Sequence, residues 1–385
     1  MNFSFHKKIP LSINITREAI RMVQIDRNKQ IRSITSLPTP EGAFANDQIV
    51  NPHTIADAIK KSIGDIHPTP KEVIFSIPDS LCFSKIFTFE KKGNDTVTKN
   101  TLIELAKIHI PVDFEDTYWD YTRQTITPDT TTQSYLYVCA LRSVIDPYIA
   151  IAQECGLSVN AIDTTAFALS RTIVYTEKKT GIAQKDTAVL ILEGNTPTTS
   201  FSVFTTGNSL IYSGSIPITD IQKYSENTVL KTITSELKKT LDRIASITQL
   251  QITKIVLAGE LAHIPDIEKT IEIDGVEVTL GDPVQSFKTS SVLSKKDTTA
   301  YSIALGLSLF TLYTEQKKPT VNFLRNKSPE RKNTPVTPVA PSEISQENKS
   351  NKKTKNVLAY SFIILTFIGL GFVIYRYIIT PFLLA

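Results

Sequence analysis

Apolar and polar positions along this chain fall into two copies of one order of elements. Short runs of alternating character predict strands over Leu11 to Thr16, Ala19 to Asp26 and Gln30 to Leu37, then a helix over Pro52 to Ile63 and a strand over Glu72 to Ile77. From Thr187 the order returns as Thr187 to Glu193, Thr199 to Thr205, Ser209 to Ile218, a long helix ending near Thr248, and Lys254 to Ala258. The copies lie about 176 residues apart, and duplication on that scale predicts two similar α/β lobes facing each other across a cleft. In the long helix, Leu230, Ile233, Leu237, Leu241 and Ile244 recur at spacings of three and four. Glu236, Lys239, Asp242 and Arg243 fall elsewhere, so one face is core and the other solvent.

Between the copies, residues 83–161 carry signals of their own and read as an inserted small α/β subdomain. A helix is predicted over Lys99 to Ile110, ended by Pro111, with strands around Trp119 to Thr125 and Tyr135 to Arg142. Asp146 and Pro147 suit an N-cap and first helical position, and Gly156 suits the stop, so a second helix is predicted over Pro147 to Cys155. The first lobe thus covers residues 8–82 and returns over 162–186, and the second covers 187–315.

The pattern changes after Tyr313. Residues 326–356 hold four prolines and seven Lys or Arg against three Asp or Glu, the composition of a basic tether. Val357 to Tyr375 then runs nineteen residues without a charge; as a helix it reaches about 28 Å, enough to cross a bilayer once. Lys349, Lys352, Lys353 and Lys355 precede it and Arg376 follows. The expectation is a single-pass protein of the cytoplasmic membrane with its large N-terminal body in the cytoplasm. Met1 to Pro10 has Lys7 and Lys8 but no apolar stretch long enough for export.

Composition narrows the chemistry. The chain has 385 residues, 41% hydrophobic, and a formal charge of +4, which equals the excess of the tether alone. The body is therefore nearly balanced, and nucleic acid is not an expected partner. Cys82, Cys139 and Cys155 are odd in number and sit among apolar neighbours, as packed free thiols do in a reducing compartment. The histidines at 6, 53, 67, 109 and 263 show no ligand spacing, so no metal site is expected.

Five segments stand out: Glu72 to Pro78 (EVIFSIP), Ile110 to Tyr121 (IPVDFEDTYWDY), Cys155 to Leu169 (CGLSVNAIDTTAFAL), Lys254 to Pro265 (KIVLAGELAHIP) and Tyr301 to Ser308 (YSIALGLS). Together they resemble, over residues 8 to 315, the PilM family, the actin-like cytoplasmic proteins of the type IV pilus inner-membrane platform. The resemblance implies an actin-like fold of duplicated βββαβα lobes, completed here by the inserted subdomain and a C-terminal transmembrane helix. Within residues 316–325, Val321, Asn322, Phe323 and Leu324 look like the Ile-Asn-Leu-Leu segment by which PilN docks on PilM. PilN also places that segment before one membrane span, so residues 319 to 375 look like a PilN N-terminal region fused to a PilM body. The arrangement is similar to that of GspL of type II secretion.

The family places nucleotide at backbone turns of both lobes, which need small residues and an Asp for magnesium. The first-lobe turn here is Asn14-Ile15-Thr16-Arg17-Glu18 where the family pattern has Asp-Ile-Gly, and the second is Leu192-Glu193-Gly194. Thr219-Asp220 stands for a Gly-Gly pair, and Ala258-Gly259-Glu260 keeps one glycine of another. The resemblance therefore implies a pseudo-ATPase with no catalytic residue. Asn14, Thr16, Arg17, Arg21, Gly194 and Gly259 are left as a degenerate site with at most a weak hold on ATP and magnesium. A non-catalytic scaffold is expected, coupling PilN- and PilO-like platform proteins and the membrane to a cytoplasmic pilus motor ATPase. The segment at 321–324 would dock on its own body or on a second copy. The alternative is an actin-like ATPase that switches conformation with nucleotide. A division protein similar to FtsA fits less well, since that family attaches through an amphipathic helix and this tail is apolar all round.

Overall fold

The computed structural model describes residues 8–45, 47–64, 66, 70–91, 97–125, 131–173, 187–195, 198–205, 208–217, 226–248, 250–288 and 298–327. The chain divides into one compact unit over Met1–Glu330 and a second over Arg331–Ala385. The second unit, with most of the expected tether and the apolar run at 357–375, lies outside the described residues. Among the described residues no helix is long and apolar enough to cross a membrane.

The first lobe opens with β1 (Leu11–Ile15), β2 (Ala19–Ile25) and β3 (Ile31–Pro38), a short pair β4 (Phe44–Ala45) and β5 (Gln48–Ile49), helix α1 (Pro52–Ile63), and β6 (Glu72–Ile77). Pro52 pre-sets the first turn of α1, Lys60 and Lys61 complement its last turn, and Ile55, Ala56, Ile59 and Ile63 form its buried stripe. The inserted unit comprises β7 (Cys82–Glu90), α2 (Lys99–His109), β8 (Thr117–Gln124) and β9 (Thr132–Leu141). The chain returns through α3 (Arg142–Glu154), β10 (Ser158–Thr164) and α4 (Thr165–Thr172). The second lobe holds β11 (Thr187–Asn195), β12 (Thr198–Thr205), β13 (Leu210–Pro217), α5 (Glu226–Thr248), β14 (Gln251–Gly259), α6 (Ile267–Thr270) and β15 (Glu277–Leu280). Helices α7 (Ser302–Ser308) and α8 (Phe310–Glu315) follow, then a two-residue strand β16 (Asn326–Lys327).

The duplication read from the apolar pattern reappears as topology. The first sheet has the order β10-β6-β1-β2-β3 and the second β13-β12-β11-β14-β15. In each, three antiparallel strands are followed by a fourth that lies parallel to the first and a fifth parallel to the fourth. The insertion sits between the fourth and fifth strands of the first lobe, where the second lobe has only the short stretch holding α6. Its own sheet has the order β16-β8-β9-β7.

Three readings change. Helix α3 begins at Arg142, not Pro147, and contains Pro147, because the Asp146 carboxylate accepts from the Tyr118 hydroxyl at 2.8 Å instead of capping a helix start. Strand β10 and α3 join the first lobe, so the inserted sheet ends at Leu141, short of residue 161. The described chain after the second lobe runs past 325, since Asn326 and Lys327 pair with Trp119 and Tyr118.

The first lobe's core also takes in Val189, Ile191, Phe204 and Val256 of the second, so the two lobes share packed surface. Helix α5 buries Leu230, Ile233, Leu237 and Ile244 against its own sheet, at about 1.5–3 kcal/mol for each large aliphatic side chain. Beneath the lobes, Arg171 and Asp163, both fully buried, pair at 2.5 Å. Arg171 Nε also donates to the Gly306 carbonyl at 2.7 Å, tying α4 to α7.

Candidate functional site: the interlobe cleft and the 320–327 groove

The turn after β1 brings Asn14, Thr16 and Arg17 to one cavity between the lobes, together with Glu18, Asp47, Ser80, Thr165 and Glu193. Asn14 is buried and its amide oxygen accepts from Ser76 Oγ at 3.2 Å. Thr16 Oγ1 closes its own turn by donating to the Ala19 carbonyl at 3.0 Å. Arg17 reaches across to Asp47 at 3.2 Å. Burial pushes the Glu18 carboxyl above its ordinary range. The cavity measures about 60 Å³, room for only a handful of waters at roughly 10–15 Å³ each.

Arg21, Gly194 and Gly259 do not line that cavity. Arg21 is buried and pairs with Glu260, joining β2 to the turn after β14 and so latching lobe to lobe. Glu260 also meets His263 Nδ1 at 3.0 Å. Gly194 and Gly259 face each other in the β11–β14 pairing. A Cβ on Gly194 would lie 2.0 Å from Leu261 Cγ, and one on Gly259, where φ is +71°, would lie 2.8 Å from the Gly194 carbonyl oxygen. Both glycines are therefore explained by close packing. In the second-lobe turn, Leu192 belongs to the core and Glu193 faces the cavity. The Thr219-Asp220 turn lies outside the described residues. Three carboxylates, Glu18, Asp47 and Glu193, and one arginine, Arg17, line this cavity. No group of three or more His, Cys, Asp or Glu suited to a metal ion occurs among the described residues.

The second site is built by the chain on itself. Thr320 to Lys327 lies between the edge strand β10 of the first sheet and the edge strand β8 of the inserted one. Val321 and Phe323 are fully buried in the first lobe's core, and Leu324 packs beside them. Between them Asn322 reads backbone: its Oδ1 accepts from Ile162 N–H at 3.2 Å and Leu324 N–H at 3.0 Å, and its Nδ2 donates to the Asn160 carbonyl at 3.4 Å. Phe323 N–H donates to the Ile162 carbonyl at 3.0 Å. The segment thereby satisfies the exposed edge that β10 would otherwise leave.

Asp120 is the polar centre of this groove. It is buried, and its carboxylate accepts from Asn322 N–H at 2.8 Å, Arg325 Nη1 at 2.9 Å and Asn326 Nδ2 at 3.2 Å. Burial pushes its pKa up to about 6, with the Arg325 cation and the Asn322 N–H pulling in the other direction. Arg325 folds back to donate to Thr320 Oγ1 at 2.7 Å, and Lys99 Nζ donates to Asn326 Oδ1 at 2.5 Å. Asp120, Arg325 and Asn326 escaped the reading of the sequence. The available signal was a lone Asp between Trp119 and Tyr121 on a strand, where a carboxylate is buried only with a partner. Val321 follows Glu315, the end of α8, by six positions, a reach of at most about 20 Å.

Two sheets of identical order and direction, joined through a shared core, define an actin-like protein. The family described as Type IV pilus assembly protein PilM matches residues 12–215, and the chain belongs to that family. Among solved structures, a PilM–PilN type IV pilus biogenesis complex is 16% identical, with a TM-score of 0.64 over 78% of this chain and 98% of its own. A Bacteroides thetaiotaomicron protein with an actin-like ATPase fold is 9% identical, TM-score 0.43, over 80% and 98% of the two chains. The cytoplasmic domain of EpsL, an inner-membrane component of the Vibrio cholerae type II secretion system, is 10% identical, TM-score 0.43, over 83% and 98%. A comparison with curated proteins gives no match.

Proposed function

We propose that this PilM-family protein is a non-catalytic scaffold of type IV pilus assembly that carries a PilN-like docking segment on the same chain, at Thr320 to Lys327. The observation that carries the reading is the Val321-Asn322-Phe323 register, with two apolar side chains buried around an asparagine that bonds main chain. That is how a short peptide recognises a groove and a strand edge together. Residues 357–375 fix the body to the cytoplasmic face of the membrane, and the body offers its remaining surface to PilN- or PilO-like platform proteins and to a motor ATPase. Asn14 in place of the family's Asp and the Arg21–Glu260 latch support a pseudo-ATPase. The test is a photo-crosslinker at Leu324 in a mixture of two differently tagged full-length copies. Crosslinks within one chain are expected. Crosslinks only between chains overturn docking on the same body, and magnesium-dependent ATP turnover by the purified chain overturns the pseudo-ATPase reading.

A further inference from the structure

We propose that one corner of the first lobe is a contact surface for an anionic lipid bilayer. The corner is formed by the β2–β3 turn, Phe287–Lys288 and the end of α8, and the inference rests on the membrane attachment proposed above. Three segments distant in sequence meet there. Lys288 N–H donates to the Lys29 carbonyl at 2.9 Å, and Gln24 Nε2 to the Ile9 carbonyl at 2.9 Å beside Lys8. Arg27 pairs with Glu315 through both carboxylate oxygens at 3.1 and 2.6 Å. Ile9, Ile25, Phe287, Leu312 and Tyr313 form one small core beneath, which fixes the three segments in place.

The charge of this corner is one-sided. Arg27 and Arg32 are balanced by Glu315 and Asp26. Lys318 lies over the Tyr313 ring at 4.3 Å, and Lys8, Lys288 and Lys317 add three positive charges. Lys8, Lys288 and Lys317 are exposed. The whole chain sums to +4, residues 326–356 supply +4 and Arg376 one more, so residues 1–325 sum to −1. These three lysines on a body of −1 leave about −4 on the remainder, a polarised body whose mean charge conceals the patch. At physiological ionic strength the field of such a patch extends about 8 Å, so the partner must present dense negative charge at close range over a broad face. A polyanionic macromolecule would satisfy the charge equally well. The bilayer is favoured because an apolar run on the same chain keeps it at high local concentration.

The experiment uses the full chain reconstituted into vesicles of phosphatidylcholine, with or without phosphatidylglycerol, followed by amide hydrogen exchange. Slower exchange is expected over residues 26–32 and 314–318 in the anionic vesicles only, and high salt should reverse it. Each basic residue near an anionic surface strengthens the contact about five-fold, so Lys8→Glu/Lys288→Glu/Lys317→Glu should weaken it by about a hundred-fold or more and abolish the protection. Lys85→Glu/Lys107→Glu, on the inserted unit, should keep it. Equal exchange in both lipids, with the chain resistant to alkaline extraction, overturns the contact and leaves the membrane span standing. A chain extracted from both vesicles overturns span and contact together. Equal protection by soluble heparin in place of vesicles overturns the bilayer as the partner.

Discussion

Replacing Phe323 by alanine is the sharpest test of the docked segment. Phe323 is completely buried with Val321 in the first lobe's core, and truncating a buried phenylalanine costs about 3–5 kcal/mol. If the segment opens as a unit, that loss falls on local docking, and the opening equilibrium shifts by about two to more than three orders of magnitude. The amides to watch are Asn322 N–H and Phe323 N–H, bonded to Asp120 and Ile162. Hydrogen exchange should accelerate there by the same factor, and trypsin should cleave faster after Arg325, while Ile255 and Leu257 in the second lobe's core keep their protection. Unchanged exchange at 322 and 323 would refute the energetic role of Phe323. An equal loss of protection in the second lobe would show that Phe323 is a general core residue and that the segment does not open separately.

Arg325→Ala removes the cation that lowers the Asp120 carboxyl, so its pKa should move further above 6, readable by carboxyl carbon NMR titration. Asp120 and Asp79 are both raised to about 6 from an ordinary 3.8, in each case by burial. The folded state therefore binds protons that the unfolded state has released, and their contribution to stability should fall as pH rises from about 4 to 6; Asp79→Asn should flatten that slope in thermal melts. Gly306→Ala would place a Cβ 1.9 Å from the Ala168 carbonyl oxygen, forcing α4 and α7 apart, and should abolish soluble folded protein in expression trials. Asp163→Leu strands the fully buried Arg171 and should cost about 3–5 kcal/mol in denaturant unfolding, whereas a paired Asp163→Leu/Arg171→Met exchange should recover most of it.

The lobes were legible because each repeats a strand-rich order and a helix whose buried stripe, as in Ile55, Ile59 and Ile63, follows the helical period. The first-copy helix and the strand at Glu72–Ile77 coincide with their predicted bounds. Strand β10 was hidden for a physical reason. Its pairing with β6 shifts between Val159 and Ala161, and Ala161 to Thr164 are all buried, so the two-residue alternation that marks a half-exposed strand is absent. In α3, Pro147 reads as a helix start although it lies inside one. The apolar-Asn-apolar-apolar pattern at 321–324 was visible in the sequence. Its partners were not, because Asp120 and Ile162 lie some 200 and 160 residues away in sequence. The basic corner was invisible to composition, since charges on the rest of the body cancel it.

The placement of Thr320 to Lys327 sets how force enters this molecule. Tension applied to the chain beyond Lys327 meets the β16–β8 pairing first, then the Asp120 cluster around Arg325 and Asn322, then the buried Phe323 and Val321, before any of it reaches α8. These bonds act in series, so they yield one after another from the outer end. Complete release would free a stretch about 25 Å long when fully extended while both lobes stay folded. The segment would then behave as a fuse between a pulling tail and a rigid body, with its breaking load set mainly by Phe323.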